Sequence, residues 1–338
     1  MSKPPPVVSV AIVSFNTREL LRRCLASVVE NPHHRIVTGA AWALTPSPPR
    51  PSSVTGGGPP HHRSPLPIEI VVVDNGSADG SADMVEQQFP QVRLVRAGEN
   101  LGFARATNAG LKRCHGGLLL LLNPDTEVIG DSLVRMADFL AAHKLVAAVG
   151  PSLLYPDGRP QHGAFSFPNL WMSFFDFFPL NHRLTESRIN GRYRTPANGS
   201  PFSIDHPLGA AMMVRREALV DVGLLDEGFF MYCEEIDWCL RAKRRGWKIY
   251  QVPSARVIHH GGQSTGQFRE EMFVELHRSR YRLFAKHYTP SFVTGHRIIT
   301  RIGLAREMAR AHWRAFRGVI GRDELARRLQ AYRAIWSM

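Results

Sequence analysis

The stretch Leu118-Leu-Leu-Leu-Leu-Asn-Pro-Asp125 passes from five consecutive leucines directly into a polar turn. An aliphatic run of this length is typical of a strand that is buried on both faces of a parallel sheet. Pro124 cannot continue a central strand, so the strand is expected to end at this point. Asp125 would then lie at the carboxyl end of the strand, which is the edge where open α/β sheets bind their ligands.

Strand and helix patterns alternate on the amino-terminal side of this stretch. Strands are predicted over 7–14, 68–73 and 92–95, and helices after Asn16, around 84–89 and over 103–114. Asn16 and Glu19 have the spacing of a helix cap and its capping-box partner. The alternation predicts an α/β fold with a doubly wound, mostly parallel central sheet flanked by helices.

One segment interrupts this pattern. Residues 31–67 contain nine prolines and four glycines, together with two histidine pairs at 33–34 and 61–62. This composition cannot bury enough apolar surface to become ordered, so it predicts a disordered surface insertion. The histidine pairs fit a solvated low-complexity segment better than a metal site. We therefore expect one domain over 7–265, interrupted at 31–67, followed by a basic helical region over 266–338.

The formal net charge is +13, and the carboxyl-terminal region supplies much of it. Residues 268–338 contain 15 Arg plus Lys against 6 Asp plus Glu. Such a tail suits phosphorylated substrates or anionic lipid, and no RNA-binding signature, zinc finger or basic zipper supports a nucleic-acid partner. Its aromatic residues, with the aromatic stretch at 171–178, fit either core packing or peripheral contact with a membrane.

Compartment is predicted from the cysteines and the apolar runs. The four cysteines, at 24, 114, 233 and 239, form no C-x-x-C pair, which favours a reducing compartment. The amino terminus lacks a signal pattern, and the longest aliphatic run, 118–122, is too short to span a bilayer. We expect a cytoplasmic protein that can lie at the inner face of the cytoplasmic membrane.

Candidate chemical groups recur at the predicted ends of strands. Asp74 ends the second predicted buried strand, and His259 ends a late apolar run. The pair Glu234-Glu235 lies in the first turn of a predicted helix, where acids either stabilise the helix or take a proton from a hydroxyl. Carboxylate and imidazole ligands together with phosphate oxygens suit Mg or Mn.

At this point the ordered motifs resemble those of the family 2 glycosyltransferases, in particular the bacterial rhamnosyltransferase-like branch. The resemblance covers residues 7–265, apart from the insertion. It is carried by Val-Ser-Phe-Asn16, Val-Asp-Asn-Gly-Ser77, Asn100-Leu-Gly-Phe103 with Asn108-Ala-Gly110, Asn123-Pro-Asp125, Gly209-Ala-Ala211, Glu234-Glu-Ile-Asp237 and His259.

The resemblance implies the GT-A fold and an inverting, metal-dependent transfer of a sugar from a nucleotide-diphosphate donor to a glycan or lipid-linked acceptor. It implies TDP-rhamnose as the donor and a divalent metal, Mg or Mn, as the cofactor. Glu235 would be the catalytic base within an acidic group that includes Glu234 and Asp237. Asp125 and His259 would bind the metal, although His260 is an equal candidate by position. The other implied contacts are Ser14, Asn16, Asp74, Asn75, Asn100, Gly102, Phe103, Asn108 and Asn123 for the nucleotide sugar, and Gly209, Ala210 and Phe230 for the acceptor.

Two departures from the family pattern affect these expectations. Asn123 replaces the first carboxylate of the D-x-D pair, which leaves Asp125 as the metal carboxylate there. The base is usually Asp, and Glu235 is one methylene longer. No Gln-x-x-Arg-Trp motif follows, which disfavours a processive polymer synthase.

Two other functions remain open. Gly262-Gln-Ser-Thr-Gly266 matches the nucleophile-elbow pattern of serine hydrolases, but the only aspartate after it, Asp323, lies in the basic tail. A catalytically silent nucleotide-sugar binding module is the second alternative, although Asp125 and the acidic pair are both retained.

Overall fold

The computed structural model describes residues 7–38, 64–261 and 269–338. Strands and helices alternate through the first half, and three long helices follow the sheet. In chain order they are β1 (Val8–Ser14), α1 (Arg18–Val29), β2 (His34–Ile36), β3 (Leu66–Asp74), α2 (Ser81–Gln88), β4 (Arg93–Arg96), α3 (Phe103–Leu111), β5 (Leu118–Leu122), β6 (Thr126–Ile129), α4 (Ser132–Ala142), β7 (Val146–Leu154), β8 (Pro160–Gln161), β9 (Ala164–Phe165), α5 (Leu170–Phe177), α6 (His182–Thr185), a 3-10 turn (Arg188–Asn190), β10 (Phe202–Ser203), β11 (His206–Pro207), β12 (Ala211–Arg215), α7 (Arg216–Val222), α8 (Glu234–Arg244), β13 (Lys248–His259), α9 (Arg269–His287), α10 (Pro290–Phe316) and α11 (Arg322–Trp336).

Within the described ranges, eleven strands form one mixed sheet. Its main path is β10-β13-β7-β12-β5-β1-β3-β2, with β4 beside β3, β6 beside β13 and β8 beside β7. The centre is parallel: β1 pairs with β3 so that Ser14 lies opposite Asp74, and with β5 so that Ile12 lies opposite Leu122. The carboxyl ends of β1, β3 and β5 therefore meet at one edge, on both sides of β1, where the direction of strand addition reverses.

The second half of the sheet includes antiparallel strands. β12 runs antiparallel between β5 and β7, and β13 runs parallel to β7 but antiparallel to β6. The last of these pairings sets His259 opposite Thr126. Because Thr126 follows Asp125, the antiparallel pairing brings the end of β13 to the turn after β5.

The buried faces of the sheet explain why the aliphatic runs form its centre. Every residue of β5 is at most 8% exposed, and the fully buried strand residues include Ile12, Val72 and Leu120. Full burial of such a side chain stabilises the fold by about 1.5–3 kcal/mol. The central strands are therefore rigid supports for the turns that follow them.

The predicted helical character of the tail is confirmed by α9, α10 and α11. α10 packs on α5, and Phe177, Leu304 and Ile335 form a small core between these helices. Within the aromatic stretch, Phe175 and Phe177 are buried as core packing predicts, whereas Trp171 is 59% exposed. Among the described helices, none combines the length and the apolar character that crossing a bilayer requires.

Two local predictions were wrong. Asn16 does not cap α1, whose N-cap is Thr17 without a side-chain hydrogen bond. Asn16 has a φ of 51° and accepts a hydrogen bond from Ala78 N, because the turn after β3 engages its amide. The edges of the predicted insertion are ordered, since residues 34–36 form β2 and pair in parallel with 66–68 of β3. Residues 39–63 lie outside the described residues.

Candidate active site

The turn after β5 places a carboxylate beside an imidazole. Oδ1 of Asp125 lies 3.6 Å from Nε2 of His259, and both residues are largely buried. Asn123-Pro124-Asp125 is also a true turn, closed by a hydrogen bond from Thr126 Oγ1 to Asn123 O at 2.7 Å. The backbone N–H of His260 donates to Asp125 O at 2.9 Å and ties this turn to the end of β13.

The hydrogen bonds of His259 determine which ring nitrogen faces Asp125 with a lone pair. Nδ1 of His259 lies 3.0 Å from Gln161 Oε1, which can only accept, so Nδ1 carries the proton. Burial lowers the pKa of His259, against the opposing effect of the Asp125 carboxylate, and keeps the ring neutral. Nε2 therefore presents a lone pair to the carboxylate oxygen.

Two facing acceptor atoms at this separation suit a divalent cation. Asp125 and His259 fit such an ion, with Gln161 orienting the imidazole from behind as metal-bound histidines require. Among the described residues, no three His, Cys, Asp or Glu side chains converge on one point. The two ligands would leave coordination positions for phosphate oxygens and water, as is usual for Mg²⁺.

His260, the other candidate ligand by position, is engaged elsewhere. Its Nε2 lies 2.7 Å from Glu127 Oε1. His260 follows the last residue of β13 and does not line the cavity, whereas His259 does. The geometry favours His259.

The acidic pair opens α8. Glu234 is buried and Glu235 half-buried, and both line the same cavity as Asp125 and His259. Burial raises the pKa of Glu235 to about 7, although backbone N–H groups at the start of the helix oppose this. Burial and then the Glu235 charge raise the pKa of Glu234 well above its usual value. A carboxyl group that titrates near neutral pH is suited to proton transfer.

The loop before this helix is held from two sides. Phe103 N donates to Phe230 O, and Ser279 Oγ of α9 donates to Met231 O at 2.7 Å. The next two residues, Tyr232 and Cys233, both have a φ of 68°, a left-handed conformation that is costly for side chains other than glycine. The hydrogen bonds to Phe230 O and Met231 O therefore hold the turn at Tyr232 and Cys233 in place. This turn directs the acidic pair into the cavity.

Other predicted residues lie at the sheet edge of the same cavity. Asn75 binds Asn100 Oδ1 through its Nδ2 at 2.9 Å and accepts from Leu101 N at 2.9 Å, which fixes the loop before Gly102. Gly102 has a φ of 79°, and a Cβ on it would lie 2.6 Å from Phe230 O. The predicted residues that line this cavity are Asn75, Asn100, Gly102, Phe103, Asn123, Asp125, Gly209, Ala210, Phe230, Glu234, Glu235 and His259.

Three acidic or amide oxygens near this edge are buried without a hydrogen-bond partner among the described residues. They belong to Asp74 Oδ1, Asn123 Oδ1 and Glu234 Oε2. Unpaired buried oxygens are rare because each loses its hydration without compensation. Asn123 and Glu234 line the cavity, whereas Asp74 does not and accepts a hydrogen bond from Ser77 N through its other oxygen.

Four of the predicted residues do not line the cavity, and their side chains bond elsewhere. Ser14 is fully buried and bonds to Thr17 Oγ1 at 2.9 Å, while Asn16 bonds to the turn after β3. Asn108 binds Leu225 through both its amide atoms. Asp237 is fully buried and bonds to Arg241, Lys286 and His287. These side chains stabilise the fold around the site and do not line the cavity.

The cavity also contains residues that the sequence patterns did not reveal. Its volume is about 440 Å³, and α5 and α9 form one wall. This wall carries the ion pair Asp176–Arg280, with 2.6 Å between Oδ2 and Nη1. These residues, like Gln161, belong to no recognisable motif and meet only through tertiary packing. The Gly262–Gly266 pattern lies outside the described residues.

Comparison with known proteins identifies relatives of this chain. The family model described as Glycosyl transferase family 2 matches residues 61–223. An N-acetylglucosaminyl-diphospho-decaprenol L-rhamnosyltransferase of Mycobacterium tuberculosis is 30% identical over 239 residues, which cover 66% of this chain and 76% of the relative. A rhamnosyltransferase of Escherichia coli is 29% identical over 171 residues, which cover 50% of this chain and 61% of the relative.

A solved structure supports the fold. The mannosyltransferase of Pyrobaculum calidifontis in complex with GDP-Man and Mn²⁺ aligns with a TM-score of 0.52 at 17% identity, covering 99% of this chain and 84% of that one. The predicted GT-A fold is confirmed. From the sequence relationship and the shared motifs, we conclude that this chain belongs to glycosyltransferase family 2.

Proposed function

We propose that this family member is an inverting, metal-dependent transferase that moves a sugar from a nucleoside-diphosphate donor to a hydroxyl group of a cell-envelope glycan or lipid-linked saccharide. One observation carries the proposal. Glu235, whose pKa is raised to about 7, lines the same cavity as the facing pair Asp125 and His259. A proton acceptor and a cation-binding pair are the two groups that a single displacement at a sugar diphosphate requires.

In this mechanism, Glu235 accepts the proton of the acceptor hydroxyl. The oxygen forms a bond to the anomeric carbon as the bond from that carbon to the diphosphate oxygen breaks, and the bonding electrons leave with the nucleoside diphosphate. Asp125 and His259 would hold a divalent cation, Mg²⁺ or Mn²⁺, which would supply positive charge to stabilise the departing diphosphate. Attack from the face opposite the leaving group inverts the anomeric centre.

The donor is proposed to be TDP-rhamnose, on the basis of the rhamnosyltransferase relatives. The buried oxygens of Asp74 and Asn123 support nucleotide binding, since the N–H of thymine and the 3′-hydroxyl of the deoxyribose are donors. Asn75, Asn100, Gly102 and Phe103 would form the neighbouring wall. Gly209, Ala210 and Phe230 would lie on the acceptor side, where Gly209 packs next to the Glu235 side chain.

Peripheral membrane contact is proposed through one face of α10. Ile298, Ile302, Trp313 and Phe316 fall on one stripe at helical spacing and are each more than half exposed, opposite the buried residues of the helix. Arginines are frequent in this helix, whereas Glu307 is its only acid. An apolar stripe with cationic neighbours suits the surface of an anionic bilayer, which would bring the enzyme to a lipid-linked acceptor at the cytoplasmic face.

The test is a donor screen on the purified chain. We expect release of nucleoside diphosphate from dTDP-rhamnose when Mn²⁺ and an acceptor such as octyl β-N-acetylglucosaminide are present, and loss of that release in EDTA. Mass spectrometry of the acceptor would detect the added sugar. If no donor in a panel of nucleoside-diphosphate sugars supports release with synthetic or lipid-linked acceptors, the chain is a binding module and the proposal is wrong.

A further inference from the structure

The wall of the cavity that α5 and α9 contribute differs in character from the sheet edge. It is formed largely by apolar side chains, among them Met172, Met272 and Leu276. Within it lie two charged side chains, Asp176 from α5 and Arg280 from α9, which pair at 2.6 Å.

This ion pair keeps much of its hydrogen-bonding capacity. The guanidinium has five N–H donors and the carboxylate can accept about four hydrogen bonds, so a single contact between them leaves further donors and acceptors. The side chains of Asp176 and Arg280 are 39% and 24% exposed, and both line the cavity. The pair is therefore accessible to a ligand and offers both donors and acceptors at one point.

The position of Arg280 relates the pair to the acidic group. The preceding residue, Ser279, donates to Met231 O in the loop that leads to Glu234 and Glu235. Arg280 is also close enough to Cys233, the residue before Glu234, for its charge to oppose the burial that raises the pKa of the Cys233 thiol. The Asp176–Arg280 pair therefore lies on the α9 side of the acidic pair. Asn75, Asn100 and Asn123 lie elsewhere in the cavity wall, in the loops that follow β3, β4 and β5.

We propose that Asp176 and Arg280 bind hydroxyl groups of the acceptor sugar and determine which acceptor is used, with the Met and Leu side chains around them contacting its apolar aglycone. This inference rests on the proposed transferase function. The pair is neutral overall, so it suits a neutral polyhydroxylated ligand better than a second diphosphate. A hydroxyl group can donate to the carboxylate and accept from the guanidinium at once.

Two single variants test the inference. Asp176→Asn and Arg280→Ala should each raise the acceptor KM about 10- to 100-fold, the loss expected when a hydrogen bond to a charged partner is removed. The donor KM and the slow hydrolysis of donor without acceptor should stay unchanged. Arg282→Ala is the matched control, because Arg282 lies on the same helix as Arg280, pairs with Asp226 in the loop before α8 and does not line the cavity.

A charge reversal separates acceptor binding from a structural role. The double variant Asp176→Arg with Arg280→Asp re-forms an ion pair between α5 and α9 but exchanges the positions of donor and acceptor. We expect it to recover the thermal stability lost in the single variants while the acceptor KM stays raised. Recovery of the acceptor KM together with stability would show that the pair only joins the helices, and would overturn the inference.

A binding measurement keeps this test independent of turnover. Saturation-transfer NMR with octyl β-N-acetylglucosaminide should detect binding to the wild-type chain and to Arg282→Ala, and a weaker signal with folded Arg280→Ala. Equal binding to all three, or no saturable binding to the wild type, would overturn the inference. Normal binding without nucleoside-diphosphate release from any donor would instead show failure of the proposed transferase function.

Discussion

Nε2 of His259 lies 3.6 Å from Oδ1 of Asp125, at the meeting point of the two halves of the sheet. The contact depends on the antiparallel pairing of β13 with β6, which sets His259 opposite the residue after Asp125. Gln161 fixes the imidazole from its other side. The two proposed metal ligands are distant in sequence, and backbone pairing holds them together.

The first prediction concerns these two ligands. Asp125→Asn and His259→Ala should each lower kcat by about 100- to 1,000-fold, since a bound cation supplies several kcal/mol of transition-state stabilisation. Electron paramagnetic resonance with Mn²⁺ and dTDP should show weaker metal binding in both variants. Gln161→Leu should weaken Mn²⁺ binding about 10- to 100-fold, because the ring loses its orienting partner.

His260→Ala provides the control for this metal prediction. His260 contacts Glu127 and does not line the cavity, so Mn²⁺ affinity should remain within about threefold of the wild type. If His260→Ala abolished Mn²⁺ binding while His259→Ala retained it, the assignment of the two histidines would be reversed.

The second prediction concerns the contact between Gly102 and Phe230. A Cβ at position 102 would lie 2.6 Å from Phe230 O and would also require a side chain at a φ of 79°. Gly102→Ala should lower the free energy of unfolding by about 2–4 kcal/mol and reduce activity, since it displaces the loop before the acidic pair.

Gly98→Ala is the matched control for that clash. Gly98 has a similar φ of 81°, but nothing lies within 4 Å of a Cβ built there. In a urea titration, Gly98→Ala should lower the free energy of unfolding by about 1 kcal/mol, which is the cost of a side chain in the left-handed conformation. Its activity should be retained. Equal losses in the two variants would mean that the Gly102 contact has no specific role.

The third prediction is the pH dependence of turnover. Burial raises the pKa of Glu235 to about 7, so the group is protonated below that pH and cannot accept a proton from the acceptor. We expect kcat to fall about tenfold per pH unit below pH 7 and to level off above it. A rate–pH profile at saturating donor and acceptor measures this. A profile that stays flat down to pH 5 would contradict the role of a carboxyl group with a raised pKa.

The fourth prediction concerns the exposed stripe of α10. Trp313→Ser with Phe316→Ser should reduce co-sedimentation with vesicles that contain phosphatidylglycerol, because these side chains are 60% and 88% exposed. The double variant Arg314→Gln with Arg317→Gln should weaken vesicle binding about 30-fold, because each basic residue near an anionic surface contributes about 1 kcal/mol to binding. Salt should reverse binding of the wild type.

The control for vesicle binding is Val220→Ser. Val220 is also exposed but lies on α7, away from the stripe, so its substitution should leave vesicle binding unchanged. Tight binding to neutral phosphatidylcholine vesicles that salt does not affect would contradict the proposed electrostatic contact.

The sequence predicted well those elements whose local pattern agrees with their final environment. The five leucines of β5 form a strand with the predicted bounds because they are buried on both faces. The acidic pair was found because it opens a helix within a recognisable motif. Local composition and motif spacing are sufficient in both cases.

Local patterns failed where a distant segment competes for the same side chain. Asn16 had the spacing of a cap, but the turn after β3 engages its amide. Asn108 lies in a family motif, yet the backbone at Leu225 takes both its amide atoms. Gln161, Asp176 and Arg280 carry no local signal, because only the packing of β8, α5 and α9 brings them to the cavity. Such contacts require the tertiary structure.

The central claim is that Glu235 removes the acceptor proton in a glycosyl transfer. Its most direct test is the steady-state rate of nucleoside-diphosphate release by Glu235→Gln, with the donor that supports transfer and with Glu217→Gln, an exposed acid on α7, as control. We predict that kcat falls about 100- to 10,000-fold in Glu235→Gln, with the donor KM and the melting temperature maintained, and that Glu217→Gln matches the wild type. Near wild-type turnover by folded Glu235→Gln would contradict the claim.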